Sequence, residues 1–365
     1  MNKINDINEM FGLTLEQTIL MFSVQKMITV HDIELSKDKK LGTEKEIGRK
    51  NEWLNAWQEG IMLYLKDCNK QEDIKLVEKE RLGNEFLKAL SKNENKTWYY
   101  IILLESLIFV PYTTLGKDED KIYSKCNFNE KKSNEFIKNF FEKQGEVSPE
   151  FIKRLEDTYE KSLNKISGKK AKLAVKVASV IAVSAIAAAI GGTMAGPIAV
   201  KLVGAQFAGL HGAALTSASL ALLGGGAIIN LGAGMLGGTI VIAGGGALLG
   251  LAGGAAAVMG ATLLLSAPDY TLTQAAKLET VIREIILNEQ QDILSAQEVM
   301  KKYKEQIVYL NNCIEELKLK NDRNKEEIKK MTKCMDYLEK SYRNIAKFES
   351  AYEIGYSVQE KDHEK

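Results

Sequence analysis

Residues 177–268 constrain this chain more than any other feature. Twenty of its 29 glycines fall in that 92-residue stretch, and Lys201 is the only formally charged residue within it. Elsewhere the chain is strongly charged, with Lys plus Arg at 49, Asp plus Glu at 48 and a net charge of +1 over 365 residues. This division fits neither an evenly patterned globule nor a disordered chain. The near-zero net charge gives no electrostatic ground for nucleic-acid binding.

The apolar block is long enough for up to about four membrane-spanning helices at roughly 20 residues each. Gly191–Gly192, Gly224–Gly226 and Gly244–Gly246 divide it into candidate passes at 173–190, 198–223, 227–243 and 247–265. An internal repeat aligns the glycine runs beginning at Gly224 and Gly244. Gly226, Asn230, Gly234 and Gly238 recur every four residues, as do Gly246, Gly250 and Gly254. On helices, each set makes a nearly side-chain-free face that lets two backbones approach closely. Glycine costs about 1 kcal/mol against alanine in a helix in water, so close packing or lipid must compensate. Gly and Ala drive insertion less than Leu or Ile, which points to a block buried in protein in one state and in lipid in another. Lys165, Lys169, Lys170, Lys172 and Lys176 precede the block. They are read either as an anionic-lipid contact or as a solvated helix face. Lys201 and His211, the polar exceptions inside it, are read as pore lining, a pH latch or a wet loop.

The flanks read as helical. Trp53, Trp57, Ile61 and Tyr64 share a helix face. The stretch 98–110 is apolar apart from Glu105, ends at Pro111 and is short for a membrane span, so it is expected to be a buried core helix. Ser148 followed by Pro149 marks a helix start, with Phe151, Leu155, Tyr159, Leu163 and Ile166 on one face.

After Pro268 a heptad pattern dominates. Ile286, Ile293, Met300, Ile307, Ile314, Ile328, Met335 and Tyr342 take position a. Ala296, Tyr303, Leu310, Leu317, Met331, Leu338, Ile345 and Tyr352 take position d, with Glu289, Asn321 and Asn324 as breaks. This predicts long coiled-coil helices. Asn321 and Asn324 mark either a polar layer in one continuous helix or the turn of a helical hairpin.

No enzyme signature stands out. Gly232, Gly234 and Gly237 match a dinucleotide fingerprint, but no acidic residue follows at the required distance; the next is Asp269. His31, His211 and His363 are the only histidines, and His31–Asp32 reads as a surface pair. Cys68, Cys126, Cys313 and Cys334 are too scattered for a metal or redox motif and read as reduced thiols. No cofactor, metal or small-molecule substrate is expected. The N-terminus lacks a secretory pattern, which implies synthesis in the cytoplasm followed by membrane association.

The expected organisation is an N-terminal helical domain at 1–147 and a basic helix at 148–176. A Gly/Ala-rich insertion block at 177–268 and a heptad region at 269–365 complete it. The fold class is all-α: an elongated bundle with long C-terminal helices and a central hydrophobic hairpin block. The order of helical flank, uncharged Gly/Ala block at 177–267 and heptads from Ile286 to Tyr352 resembles the α-helical pore-forming toxins of the cytolysin A, haemolysin BL and non-haemolytic enterotoxin group. The resemblance implies a membrane-inserting, permeabilising protein whose partners are a lipid bilayer and further copies of itself or another coiled-coil chain. Two alternatives come from the residues themselves: a membrane-anchored coiled-coil tether, and a helical protein whose Gly/Ala hairpin is buried in its own core.

Overall fold

A computed structural model describes residues 13–38, 43–69, 73–113, 118–168, 268–319 and 325–363. All regular structure among them is helical. In chain order the α-helices are α1 (Leu15–Asp38), α2 (Glu44–Asn69), α3 (Lys79–Lys92), α4 (Thr97–Leu107), α5 (Glu130–Glu142) and α6 (Pro149–Ser167). Then come α7 (Pro268–Thr280), α8 (Ile293–Leu319) and α9 (Lys325–His363). A 3₁₀ segment covers Asp118–Lys125, and a π-helix at Val281–Glu289 continues α7.

Local chemistry explains several boundaries. Asn129 caps α5 by accepting from Lys132 N, and Ser148 caps α6 by accepting from Phe151 N at 3.1 Å, with Pro149 in the first turn. At the far end of α6, Gly168 takes the left-handed conformation (φ 69°) that favours glycine, and its N–H closes the last turn on Asn164 O. Asp292 opens α8 by accepting from both Ser295 N and Ser295 Oγ.

The core follows from aromatic and aliphatic burial. Trp53, Trp57 and Ile61 on α2 are fully buried, and Phe22 packs edge-on against Trp57. Tyr64's side chain lies outside the described residues. α4 is buried on all sides except at Glu105. Its 11 residues make it a core helix about 16 Å long, roughly half the depth of a bilayer core.

α7 and the π-helix run through the middle. Every residue from Thr271 to Leu287 is buried except Arg283. Four helices surround this rod. α4 lies antiparallel to it, since Glu105 meets Lys277 while Thr97 meets Gln290. α6 is also antiparallel, with Arg154 reaching Glu289 and Thr158 reaching Glu284. α9 is parallel, with Ser341 bonded to Ala275 O and Tyr352 to Leu287 O. α8 packs against α9 in the opposite sense: Gln297 contacts Glu353, and Tyr303 donates to Leu338 O at 2.9 Å. Asn321 and Asn324 lie outside the described residues; α8 before them and α9 after them are separate helices that pack antiparallel.

Among the described residues, no helix is long and apolar enough to cross a membrane. The expectation of a membrane-inserting, pore-forming protein is corrected on this finding, and membrane, toxin and transmembrane-helix descriptions go with it. The physical reason lies in the helices that bracket the Gly/Ala-rich stretch. α6 buries one face against α7 and turns Lys153, Arg154, Asp157, Glu160, Lys161 and Lys165 to solvent, while α7 is enclosed by protein. Residues 169–267, including the passes and glycine faces expected there, lie outside the described residues.

Because α6 and α7 are antiparallel, Gly168 and Pro268 sit at the same end of that pair. The helices around them close on each other directly. Replacing residues 177–267 with a short Gly/Ser linker is expected to leave a helical protein with a single cooperative thermal transition by circular dichroism. Loss of that transition would show that the central stretch is needed for the body to fold.

Candidate functional site: buried charges around the central rod

The rod carries charge where a core helix normally carries none. Lys277 Nζ contacts both carboxylate oxygens of Glu105 at 2.7 Å. Glu279 is fully buried and accepts from Arg283 at 3.1 Å and from Asn344 of α9 at 3.2 Å. Glu284 accepts from Thr158 Oγ1 of α6 at 2.7 Å and from Asn288 at 3.0 Å, with Arg154 Nε 3.5 Å away. Three of the four surrounding helices thus read a different polar group on the rod: α4 reads Lys277, α9 reads Glu279 and α6 reads Glu284. Arg283 also lies over the Phe348 ring, 4.4 Å from its centroid.

A second network sits in the N-terminal half. Asp32 and Lys50 pair at 2.7 Å, with side chains only 1% and 2% exposed. Tyr112 OH donates to the same Asp32 oxygen at 2.7 Å, and Asn129 N donates to the other at 2.8 Å. Lys50 also bonds Ser36 Oγ at 2.9 Å. Tyr112 has a positive φ of 64°, a strained backbone for a bulky residue, held by its bond to Asp32 and by the neighbouring Trp53 Nε1 bond to Thr113 O at 2.7 Å. Burial, with the Asp32 carboxylate next in importance, pushes the Tyr112 phenol far above its ordinary range. His31, read from sequence as half of a surface pair with Asp32, is separated from it in role. It stacks on Phe136 at 4.0 Å while Asp32 turns into the core.

These groups are arranged to order helices. Breaking a buried pair by removing one partner strands the other charge, whereas replacing both with apolar groups of similar size is often neutral or favourable. Burial raises the Cys126 thiol and raises that of Cys334 to about 11, so both are poor nucleophiles near neutral pH. No group of three or more potential metal ligands occurs among the described residues. A groove of about 610 Å³ lies between α1, α2, the extended segment at 75–78 and α3. The Lys26–Glu78 ion pair at 3.1 Å lies on its rim.

The residues singled out from sequence are placed as follows. Lys165 is exposed in the last turn of α6. The helix stops at Gly168, which interrupts the single face expected for Lys165, Lys169, Lys172 and Lys176. Lys169, Lys170, Lys172 and Lys176 lie outside the described residues. So do Lys201, His211, Gly226, Asn230, Gly234, Gly238, Gly246, Gly250 and Gly254. Of the heptad positions, Ala296, Met300, Tyr303, Ile307, Leu310 and Ile314 are buried on α8, as are Met335, Leu338 and Ile345 on α9. Ile293, Ile328, Met331, Tyr342 and Tyr352 are half-buried, and the side chain of Leu317 is outside the described set. Ile286 belongs to the π-helix, because the chain turns at Gln291 (φ 55°) before α8 begins.

No family model, curated protein or solved structure matches this chain. The likeness to the pore-forming toxins therefore has no relative to bear on it.

Asp32→Ala is expected to destabilise by roughly 3–5 kcal/mol, because Lys50 would remain charged and buried. The double change Asp32→Leu with Lys50→Met should recover much of that loss in urea unfolding. If the double change costs as much as the sum of Asp32→Leu and Lys50→Met measured singly, the pair contributes no coupling.

His31 makes a pH prediction. Burial, as the largest cause, lowers its pKa from 6.5, partly opposed by Glu34. The unfolded chain then binds more protons than the native one as pH falls through 6.5 toward the lower folded value. Stability should drop across that window on acidification and return as pH rises. His31→Phe, which keeps the stack on Phe136, should flatten this slope in pH-dependent melting; an unchanged slope would assign it to other groups.

Proposed function

We propose that the chain is a non-catalytic helical scaffold of the cytoplasm that works by packing against another helical chain, and whose Gly/Ala-rich stretch is covered by protein. The arrangement at the root of that stretch carries the reading. α6 and α7 pack against each other there, burying Ser162, Leu163 and Ile166 of α6 and Thr271, Leu272 and Ala275 of α7, while the Thr158–Glu284 bond and the Arg154 ion pairs tie the other end of α6 to the π-helix. A bilayer approach would instead offer basic side chains to lipid headgroups from a free helix.

The partner is a second copy of the chain or another coiled-coil protein. The α8–α9 hairpin supports this choice. Its heptad face is used between its own helices and the rod, while Leu294, Val308 and Ile354 are exposed on its outer surface at 69%, 52% and 67%. An added helix would cover such positions.

Flotation with vesicles of phosphatidylglycerol and phosphatidylcholine, combined with sedimentation velocity, tests the reading. The protein should stay at the bottom of the gradient, release no entrapped dye and show concentration-dependent self-association or remain competent to bind a helical partner. Co-flotation with the vesicles would overturn it.

A further inference from the structure

The π-helix at Val281–Glu289 is nine residues long, whereas such helices mostly occur as single-turn bulges. Its wide winding persists past its end: Gln290 N bonds to Ile285 O at 2.9 Å, and Asp292 N to Ile286 O at 3.0 Å. Anchors bracket it on both sides. Upstream, Lys277 is held by Glu105 and Ala275 O by Ser341. Downstream, Gln290 Nε2 donates to Thr97 Oγ1 at 2.7 Å, Tyr352 OH donates to Leu287 O at 2.7 Å, and Glu289 takes Arg154.

The anchor points are matched on unequal lengths of chain. On α4, Glu105 and Thr97 are about 12 Å apart at 1.5 Å per residue. An α-helix from Lys277 to Gln290 would rise about 19.5 Å over the same interval. On α9, Ser341 to Tyr352 spans about 16.5 Å, while α-helical Ala275 to Leu287 would span about 18 Å. Long side chains absorb part of the difference, and a wider, shorter winding takes up the rest. Both neighbours therefore favour the π form only while both sets of anchors are engaged. Within the segment Arg283 bonds Glu279 through Nη1 and lies over Phe348, while its Nε is buried with no hydrogen-bond partner among the described residues.

We propose that residues 281–289 form a register switch. With both ends anchored the segment is π. When the downstream anchors let go it rewinds to α, lengthens, and turns the α8–α9 hairpin relative to α4 and α6. The hairpin is the element that must respond, because it follows the π-helix after only the short turn at Gln290–Asp292. The charged and polar groups bonded to the segment are Arg154 and Thr158 from α6 and Tyr352 from α9, while Asn344 of α9 holds Glu279 just before it and Thr97 of α4 holds Gln290 just after it.

The test uses the full chain with spin labels attached through a non-canonical amino acid at Leu87 on α3 and Val308 on α8, both exposed, one before the segment in the chain and one after it. Electron–electron distance measurements are made with and without Thr97→Val plus Tyr352→Phe, which remove two downstream anchors. The unsubstituted protein should give one dominant distance. The double variant should give a displaced or second distance, with amide exchange accelerated about tenfold or more at 287–292 and unchanged in α1 and α2. An unchanged distance in the variant would overturn the switch, as would acceleration spread evenly over the whole protein. If the double variant does not fold, Thr97→Val alone, which removes the Gln290 anchor together with the local Thr97–Asn95 bond, is read by the same criteria.

Discussion

Burial of the rod formed by α7 and the π-helix, charges included, is the constraint on which the rest depends. A helix enclosed on every side is ordinarily apolar on every side. This one brings Lys277, Glu279 and Glu284 into the interior; α4 supplies the counter-charge of Lys277 and α6 that of Glu284, while Glu279 is paired by Arg283 of the rod itself and takes an amide from α9. Hydrophobic contact from Leu272, Ala275, Ala276, Leu278, Val281, Ile282, Ile285 and Ile286 supplies the non-directional part of the packing. The charged contacts supply direction: they set which helix lies against which face and in which register, a role buried pairs fill better than that of raw stabilisers.

The Asp32–Lys50 network acts similarly in the other half. A single carboxylate gathers α1, α2, the loop at Tyr112 and the start of α5 by accepting from Lys50, Tyr112 and the Asn129 amide. The strained backbone of Tyr112 is tolerated because its phenol completes this cluster. The root of the Gly/Ala-rich stretch is thus carried on helices fixed from both sides by polar anchors.

Local features are legible in sequence. The Ser148–Pro149 start of α6 follows from capping chemistry, which depends on neighbours in the chain. The apolar stretch at Trp98 gives a core helix because it is too short to span a bilayer and ends before Pro111. Heptad positions such as Met300, Tyr303 and Leu338 are buried because period alone fixes the face. The antiparallel pairing of α8 and α9 stays undecided in sequence until Tyr303 is seen against Leu338, and the π-helix has no local signature beyond the polar Glu289 that breaks the heptad. Buried charges are the least legible, since Asp32 and Lys50 pair only through the tertiary fold. Glu105 is the exception: a lone carboxylate in an otherwise apolar stretch implies a partner, though nothing local names Lys277.

A double-mutant cycle on Lys277→Met and Glu105→Leu, followed by urea unfolding, tests the central claim most directly. Anchoring of the rod by this pair predicts that the single changes destabilise, while the double change recovers roughly 1–3 kcal/mol relative to their sum. Strict additivity would mean that the pair does not couple α4 to the rod and that apolar burial alone holds the centre of the fold.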